Sequence, residues 1–446
     1  MTDKPKDKDG RAVPSRRLSR LAGLGGMAAN IAGGIAMNGV KQLASGKRPK
    51  AADLFMTPSN ALKLTRQLSN MRGAAMKIGQ MISMDSGDFL PKEFADVLAR
   101  LRSDAQHMPR VQLNSVLKSE WKDSWQMKFA KFDYRPVAAA SIGQVHKAEL
   151  QNGDVLAIKV QYPGVRDSID SDIKNVAGLL KMSGLVPASL DVKPIIEEGR
   201  IQLHQEADYI REASYMGRFK ELLSGDENFE VPSYYAELST DKILAMSYCE
   251  GRPIEDMSSA PQETRDRIVY LLMELTLREL FDFKLMQTDP NFANYRYNTE
   301  TNQLVLLDFG ASRDISGPLS ASYKGLMKTV LSGIPEEIFQ AGEKMGLFPS
   351  AMNVQDKAAV LDMMNMALEP LRHDAPFDFD GNPISEELRD KAMELAGKRG
   401  LWHVPPAETV FIQRKLGGIY MLASRLKARV NVHALMKEYT QDAPAH

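Results

Sequence analysis

The sequence predicts an α+β fold, because helical patterns stand on both sides of a central stretch of short β-like runs. Apolar residues recur at helical spacing before about residue 128 and again beyond Gly251. Between them lie the runs FAKFDYRPVA, QVHKAEL, VLAIKV and KILAMSY, and the turn sequence QNGD joins the second run to the third. A small sheet with inserted helices is therefore expected in the middle of the chain.

The composition indicates a globular protein without a polyanionic partner. Of the 446 residues, 43% are hydrophobic and 26% are charged, which lies within the globular range. Basic and acidic residues number 57 each, so the overall charge does not favour nucleic acid. The single cysteine, Cys249, excludes an intramolecular disulfide and a thiolate zinc site, and it fits a reducing compartment.

Residues 1–50 are predicted to form a disordered tail followed by a segment rich in glycine and alanine. The first 20 residues mix acids with bases and lack the apolar core of a secretory signal. Residues 21–40 carry no charge and could just span a bilayer at about 1.5 Å per residue, although Asn30, Asn38 and the glycines disfavour a span. A span, contact with the membrane surface and a flexible segment stay open, and the small residues also permit a homodimer.

Three further segments follow from the pattern. Residues 51–128 are predicted to be a helical extension, with Pro58 and Ser59 at one helix start and Pro91 at the next. Residues 129–250 carry the β-like runs and a helical insert near residues 194–223, and residues 251–446 are mainly helical. A cytoplasmic location is expected, peripheral to or anchored at the inner membrane through the N-terminal segment, and a bacterial setting is favoured over an organellar one.

The most specific group of polar residues is DPNFAN followed by LVLLDFG. Asp289 and Asn294 are five residues apart, and Asp308 follows a predicted hairpin. Phosphoryl transfer needs a carboxylate near the attacking hydroxyl and oxygen ligands that hold Mg²⁺ against the phosphates. Either sequence alone is typical of an ordinary turn, but the two together, downstream of a strand lysine, favour a site for metal and phosphate.

That strand lysine is Lys159, in LAIKV, which alternates against the apolar positions and can therefore face a cleft. Its acidic partner is not decided by spacing, because HQEADYIREAS offers Glu206, Asp208 and Glu212. On one straight helix Asp208 and Glu212 share a face and Glu206 points elsewhere. The upstream KIGQ, which contains Lys77 and Gln80, is by itself a weak signal.

Together these motifs resemble the UbiB family of atypical kinase-like proteins, also called AarF-related, and especially its mitochondrial coenzyme Q accessory subtype. The resemblance extends from about residue 54 to 439 and rests on KIGQ, AAASIGQV, LAIKVQYPGV, EADYIREA, MQTDPNFANY and LLDFGASR. It implies an atypical protein-kinase-like fold with two lobes and an N-terminal helical extension that covers the active site.

The resemblance also implies roles for individual residues. Lys77 and Gln80 would meet Glu206 and Asp208 at the active site, and Glu212 would pair with Lys159; a bent or broken helix would make this compatible with the helix geometry. The implied roles are catalysis by Asp289, Lys159, Lys77 and Gln80, Mg²⁺ binding by Asn294 and Asp308, and nucleotide binding by Ala138, Ala139, Ala140, Ser141, Lys159, Glu212 and the backbone of Ser247, Tyr248 and Cys249.

The implied activity is Mg²⁺-dependent ATP binding and slow ATP hydrolysis in support of ubiquinone biosynthesis. The implied partners are ATP, quinone-precursor lipids or a membrane surface, and ubiquinone-biosynthesis proteins, with no nucleic acid. Two alternatives stay open: a protein kinase that phosphorylates a protein partner, and a non-catalytic scaffold that senses nucleotide and binds lipid.

The sequence departs from typical protein kinases at three places. Gln287 and Thr288 stand where His-Arg is usual, and no Ala-Pro-Glu follows Asp308. Two of the three glycines of the nucleotide loop fall on Ala138 and Ala140. A Cβ at these positions restricts the backbone, so the alanines are expected to restrain phosphate transfer.

Overall fold

The computed structural model describes residues 71, 73–75, 77, 78, 107–183, 193–289, 291–349, 352–381, 387, 388, 391 and 405–441. The chain divides into two compact units, Met1–Gly217 with Ser233–Tyr248, and Arg218–Pro232 with Cys249–His446. The helices are α1 Arg110–Trp121, α2 Val165–Ser183, α3 Lys193–Glu206, α4 Tyr209–Leu222, α5 Gln262–Phe281, α6 Gly317–Ser332, α7 Pro335–Lys344, α8 Val354–Ala367, α9 Ala407–Leu426 and α10 Val432–Thr440.

The strands are short, as the runs in the sequence predict. They are β1 Phe129–Phe132, β2 Ala138–Ala139, β3 Gly143–Leu150, β4 Val155–Gln161, β5 Phe229–Glu230, β6 Ile243–Ser247, β7 Arg252–Pro253, β8 Leu285–Gln287, β9 Tyr295–Asn298, β10 Gln303–Leu306, β11 Ser312–Asp314, β12 Phe377–Asp378 and β13 Arg429–Val430.

The first unit is built on an antiparallel sheet with the order β1-β3-β4-β6, and β2 adds to the edge of β3. Helix α1 covers this sheet because its apolar residues recur at helical spacing. Trp121, Trp125 and Phe129 form an aromatic cluster with the sheet residues, and the indole of Trp121 donates to the carbonyl of Leu238 at 2.9 Å. This core fixes the strands that carry the predicted nucleotide residues.

The second unit is mainly helical. Helices α5, α6, α9 and α10 enclose its core around Leu280, Phe411 and Leu435. The hairpin β9-β10 and the pair β8-β11 lie beside these helices. Helix α6 shows how local sequence sets a boundary: Ser316 accepts from the Leu319 amide at 3.3 Å at its start, and Gly333, with φ of 72°, ends it.

The predicted α+β class is confirmed. The helical insert consists of α3 and α4, which lie close to the predicted bounds, and a further helix, α2, precedes them. Residues 21–40 and most of the predicted helical extension lie outside the described residues. Within the described ranges, no helix is long and apolar enough to cross a membrane.

Candidate active site

The predicted site residues are divided between the two units, and those of the first unit centre on a buried ion pair. Strand β4 places Lys159 at 5% exposure, and α4 places Glu212 at 1%. The Lys159 ammonium donates to both carboxylate oxygens of Glu212, at 2.7 and 2.9 Å. The strand is buried on both faces, so the lysine points to a polar interior position opposite the apolar core. Of the three candidate acids, Glu212 is the one that pairs with Lys159.

A second ion pair joins the KIGQ segment to α3. The Lys77 ammonium lies 2.6 Å from a carboxylate oxygen of Glu206, and the other oxygen accepts from the Ser141 hydroxyl. Nearby, a Cβ at Gly73 would lie 3.0 Å from the Ser141 carbonyl oxygen. The helical segment with Lys77 therefore packs closely on the alanine-rich loop. Gln80 lies outside the described residues.

The three acids do not lie on one straight helix. Helix α3 ends at Glu206 and α4 begins at Tyr209, so the break falls at Ala207 and Asp208. Asp208 caps α4, because its carboxylate accepts from the Arg211 amide at 3.0 Å. The break resolves the conflict in the helix geometry. Of the two acids expected to meet Lys77 and Gln80, Glu206 makes the ion pair with Lys77 and Asp208 has the capping contact. Because Gln80 lies outside the described residues, the place of Asp208 in this group stays a prediction.

The alanine-rich loop is a closed hairpin. Ala138 and Ala139 form β2 and pair with β3, and the Ala140 amide donates to the Gly143 carbonyl at 2.9 Å. Gly143 has a packing role, since a Cβ there would lie 2.5 Å from the Val160 carbonyl oxygen and 2.9 Å from the Tyr209 hydroxyl. Backbone pairing thus limits the freedom of this loop.

The predicted adenine edge lies at the end of β6. The Ser247 amide donates to the Ser233 carbonyl and the Tyr248 amide to the Val155 carbonyl, both at 2.9 Å. The Lys147 ammonium lies 4.0 Å from the centre of the Tyr248 ring. Both amides therefore have backbone partners within the first unit, and Cys249, in the second unit, is buried. Adenine binding by this edge stays a prediction.

In the second unit one loop holds the other predicted residues. The Asp289 carboxylate accepts from the Asn291 amide at 3.2 Å, and the Asn294 side chain donates to the Asp289 carbonyl at 3.4 Å. The Leu307 amide donates to the Asn294 carbonyl at 2.9 Å, which ties the loop to the residue before Asp308. The two predicted metal ligands are thereby held on neighbouring segments.

The acidic groups around this loop act on the buried phenol of Tyr295. Burial raises the pKa of its phenol well above the usual value, and the charges of Glu279, Asp289 and Asp308 raise this pKa further. Asp289 and Asp308 therefore act on the same buried side chain. Their joint role in phosphate chemistry stays a prediction.

Comparison with known proteins identifies the family. The family model for the ABC1 atypical kinase-like domain matches residues 100–340. The chain is 38% identical to the atypical kinase COQ8, mitochondrial, of Saccharomyces cerevisiae, over 96% of this chain and 85% of the yeast protein. The chain belongs to the ABC1 atypical kinase family. The predicted membership is confirmed, as is the predicted function at family level, that of an ATP-dependent atypical kinase of the kind that supports coenzyme Q biosynthesis.

One further relative agrees with this ABC1 assignment, and one solved structure shares the fold. Rat atypical kinase COQ8B, mitochondrial (Rattus norvegicus), is 35% identical over 96% of this chain and 81% of the rat protein. Rv3197 of Mycobacterium tuberculosis, solved as a complex with erythromycin, has a TM-score of 0.62 and 24% identity, and the match covers 86% of this chain and 97% of that one. The likeness to Rv3197 concerns the fold alone. Together with the match to the ABC1 atypical kinase-like domain, it confirms the predicted kinase-like fold with two lobes.

The expected location is wrong. The COQ8 relatives in budding yeast, rat, zebrafish and fission yeast are mitochondrial proteins, which points to an organelle instead of a bacterial cytoplasm. The expectation rested on the composition of residues 1–20 alone. A mixture of acidic and basic residues indicates that a segment is soluble, but it does not identify the compartment in which the protein resides.

Sequence reasoning missed several polar residues around the Asp289 loop. The Thr288 hydroxyl and amide both donate to the Ala311 carbonyl, at 2.6 and 3.2 Å, so this threonine ties the loop to the segment after Asp308. Glu279 and Lys415 form a buried ion pair behind the loop. The sequence carries no clear signal for this pair, because Glu279 follows Arg278 and Lys415 follows Arg414 in helical runs that carry several other charges.

Proposed function

We propose that this ABC1 protein binds ATP with Mg²⁺ and hydrolyses it slowly, in support of coenzyme Q biosynthesis, on or beside isoprenoid quinone-precursor lipids. The observation that carries the proposal is the buried ion pair of Lys159 and Glu212. Burying a lysine and its carboxylate partner carries a desolvation cost, so such a pair usually has a function. In kinases this pair holds the ATP phosphates.

The donor set suits magnesium. Among the described residues, no group of three or more histidine, cysteine or acidic side chains could hold a metal ion by itself. Asn294 and Asp308 offer an amide and a carboxylate oxygen, and Mg²⁺ commonly combines one or two such protein ligands with substrate phosphates and water. When bound, Mg²⁺ would neutralise charge on the phosphates.

The other roles follow from the side chains. Lys159, oriented by Glu212, contacts the phosphates as a fixed positive charge. Asp289 accepts a hydrogen bond from the attacking water and orients it, because its loop is fixed by the contacts to Asn291 and Asn294. The backbone of Ser247, Tyr248 and Cys249 holds adenine, and Ala138, Ala139, Ala140 and Ser141 cover the triphosphate.

Hydrolysis is favoured over phosphorylation of a protein. The segment with Lys77 is fixed on the alanine-rich loop through Glu206 and Ser141, and both side chains of the Lys77–Glu206 ion pair are almost buried. This supports a helical extension that stays in place during turnover and leaves water or a small lipid headgroup as the acceptor. Lys77 and Gln80 contribute to catalysis from that extension. The proposed protein partners are ubiquinone-biosynthesis proteins and a second copy of this chain.

Two substitutions test the proposal. Asp308→Asn should abolish binding of Mg-ATP, because one metal-binding carboxylate is lost, whereas Asp289→Asn should keep binding and lower hydrolysis by about 100-fold or more. Binding is measured by calorimetry, and γ-labelled ATP is followed with liposomes that contain a quinone-precursor lipid and with a mitochondrial extract.

The outcomes separate the candidate functions. Asp314→Asn is the matched control, because this exposed aspartate pairs with Arg218 on the surface of the same unit. Label released as phosphate, and released faster with lipid, supports the proposal. Label transferred to a protein in the extract would favour a protein kinase, and full rescue of quinone synthesis by Asp289→Asn in a deficient strain would favour the scaffold.

A further inference from the structure

The second unit contains a buried ion pair that no step of the proposed reaction uses. Glu279 on α5 and Lys415 on α9 are 1% and 2% exposed, and the Lys415 ammonium donates to the Glu279 carboxylate. Burial raises the pKa of Glu279 and lowers the pKa of Lys415, while the charge of each partner opposes the shift. Keeping two charges in the interior carries a desolvation cost, so the pair needs a reason beyond stability.

The ion pair holds the backbone of one residue, Gln287, from both sides. The Lys415 ammonium donates to the Gln287 carbonyl at 3.0 Å, and the Gln287 amide lies 3.4 Å from the Glu279 carboxylate. A contact to the peptide group fixes the path of the chain whatever the side chain is. Gln287 is the last residue of β8 and stands two positions before Asp289.

The residues that follow Gln287 are held as well. Thr288 donates through its hydroxyl and its amide to the Ala311 carbonyl, and Asn294 donates to the Asp289 carbonyl. Of these three anchors, the one at Gln287 depends on buried charges. If it were lost, the segment that begins at Gln287 would have one fewer point of attachment before Asp289.

Among the described residues, the surroundings of Lys415 offer no other donor in its place. A small cavity beside it has an almost wholly apolar lining. The residues that line it are Leu272, Phe292, Tyr295, Lys415, Ile419 and Leu422. Gln287 already has one unsatisfied group, since its buried side-chain nitrogen has no hydrogen-bond partner within the described part of the chain. Removal of Lys415 would therefore leave the Gln287 carbonyl buried without a replacement donor.

We infer that Lys415 and Glu279 are positioning residues, which hold the backbone of Gln287 so that Asp289 stays aligned for ATP turnover. The inference rests on the proposed function for its catalytic consequence. Its structural part, the fixing of residues 287–289, can be measured without turnover.

The experiment compares Lys415→Met with the double variant Lys415→Met/Glu279→Met. The single variant leaves a buried acid without its partner and should lower the melting temperature. The double variant removes both charges and should recover most of that loss, because an apolar pair of similar volume often replaces a buried ion pair at little cost. Both variants should keep a reduced kcat, lowered about tenfold or more, with KM for ATP changed less than about threefold.

Amide hydrogen exchange of the protein without nucleotide provides the second readout. The peptide that covers residues 285–291 should exchange about tenfold faster in the double variant, while peptides of α5 and α9 stay close to the wild type. If the double variant regains wild-type kcat and exchange together with its melting temperature, the pair is merely structural and the inference is overturned.

Two further variants complete the design. Arg278→Met is the matched control, because Arg278 adjoins Glu279 on α5 and pairs with Asp226 in a partly buried position. This variant should be less stable than the wild type. At temperatures below its melting temperature, it should keep wild-type kcat and wild-type hydrogen exchange at residues 285–291. Should the double variant fail to fold, Glu279→Gln takes its place, and wild-type exchange and kcat in that variant would overturn the inference.

The two proposals fail in different ways. A wild type that hydrolyses no ATP, but whose 285–291 segment loosens in the double variant, would refute the proposed function and support the positioning of the loop. A wild type that hydrolyses ATP, with variants that change neither exchange nor kcat, would refute the positioning role alone.

Discussion

At the scale of single residues, Gly143 is fixed by a close approach of backbone to backbone. A methyl group there would meet the Val160 carbonyl oxygen of β4, which cannot move without disturbing the sheet. Gly143→Ala should therefore lower the free energy of unfolding by about 1–3 kcal/mol, measured by urea denaturation. Gly217→Ala, in the open middle of a helix, should be neutral or slightly stabilising. Equal stability of Gly143→Ala and the wild type would show that the strands can separate to admit the methyl group.

Ala140 tests whether the alanine-rich loop restrains phosphate transfer. Its amide closes the turn onto Gly143, and a glycine would widen the conformations of this residue. Ala140→Gly should change the affinity for ATP and raise autophosphorylation, followed with labelled nucleotide. Ala139→Gly is the comparison variant, and its effect in both assays should be smaller, since Ala139 is held by strand pairing with Gln144. If Ala140→Gly behaved like the wild type in both assays, the restraint would lie elsewhere.

At the scale of elements, the break between α3 and α4 allows two neighbouring acids to have different contacts. Glu206 ends α3 and pairs with Lys77, and Glu212 in the first turn of α4 pairs with Lys159. Sequence periodicity assumes a continuous helix, so it could not assign the lysine partners of both Glu206 and Glu212. The cap at Asp208 was present in the sequence as an aspartate before a helical run, and it is the signal that would have located the break.

The cap leads to a prediction about α4. Asp208→Ala removes the acceptor of the Arg211 amide and should cost about 1 kcal/mol, measured by thermal unfolding. It should also lower ATP hydrolysis, because the first turn carries Glu212. Asp208→Asn keeps an equally good capping side chain and should restore both stability and hydrolysis. Stability of Asp208→Asn as low as that of Asp208→Ala would contradict a capping role, and loss of hydrolysis alone would show that the charge is needed.

At the scale of the whole molecule, the order of elements was predictable and the buried polar contacts were only partly so. Strand runs and helical spacing are local, and they predicted the α+β class and the strand that carries Lys159. The hydrogen bond of Ser141 to Glu206 and the pairing of Lys415 with Glu279 join residues that are 65 and 136 positions apart. Such contacts depend on how packed elements face one another, which local periodicity does not contain.

The stability of the first unit should depend on pH through His146. This residue is fully buried, and its Nδ1 contacts the Asp133 carbonyl. Its Nε2 lies 2.8 Å from the side-chain nitrogen of Gln144. The side-chain oxygen of Gln144 accepts a hydrogen bond from the Met108 amide. Since Gln144 must donate, His146 is neutral with its proton on Nδ1. Burial lowers the pKa of His146 to about 4, the Asp133 carbonyl and charge oppose the shift, and nearby His107 adds to it.

The sign follows from proton binding. The unfolded chain binds a proton at His146 near pH 6.5 and the folded chain only near pH 4. The contribution of neutral His146 to the free energy of unfolding is therefore complete above pH 6.5. It is lost as the pH drops towards 4, by on the order of 3 kcal/mol. Urea unfolding from pH 7 to 4.5 measures this slope. His146→Gln keeps a donor and an acceptor but does not titrate, so its slope should be shallower by about that amount. Parallel curves for the two proteins would mean that other groups set the acid sensitivity, because the difference between the curves isolates this histidine.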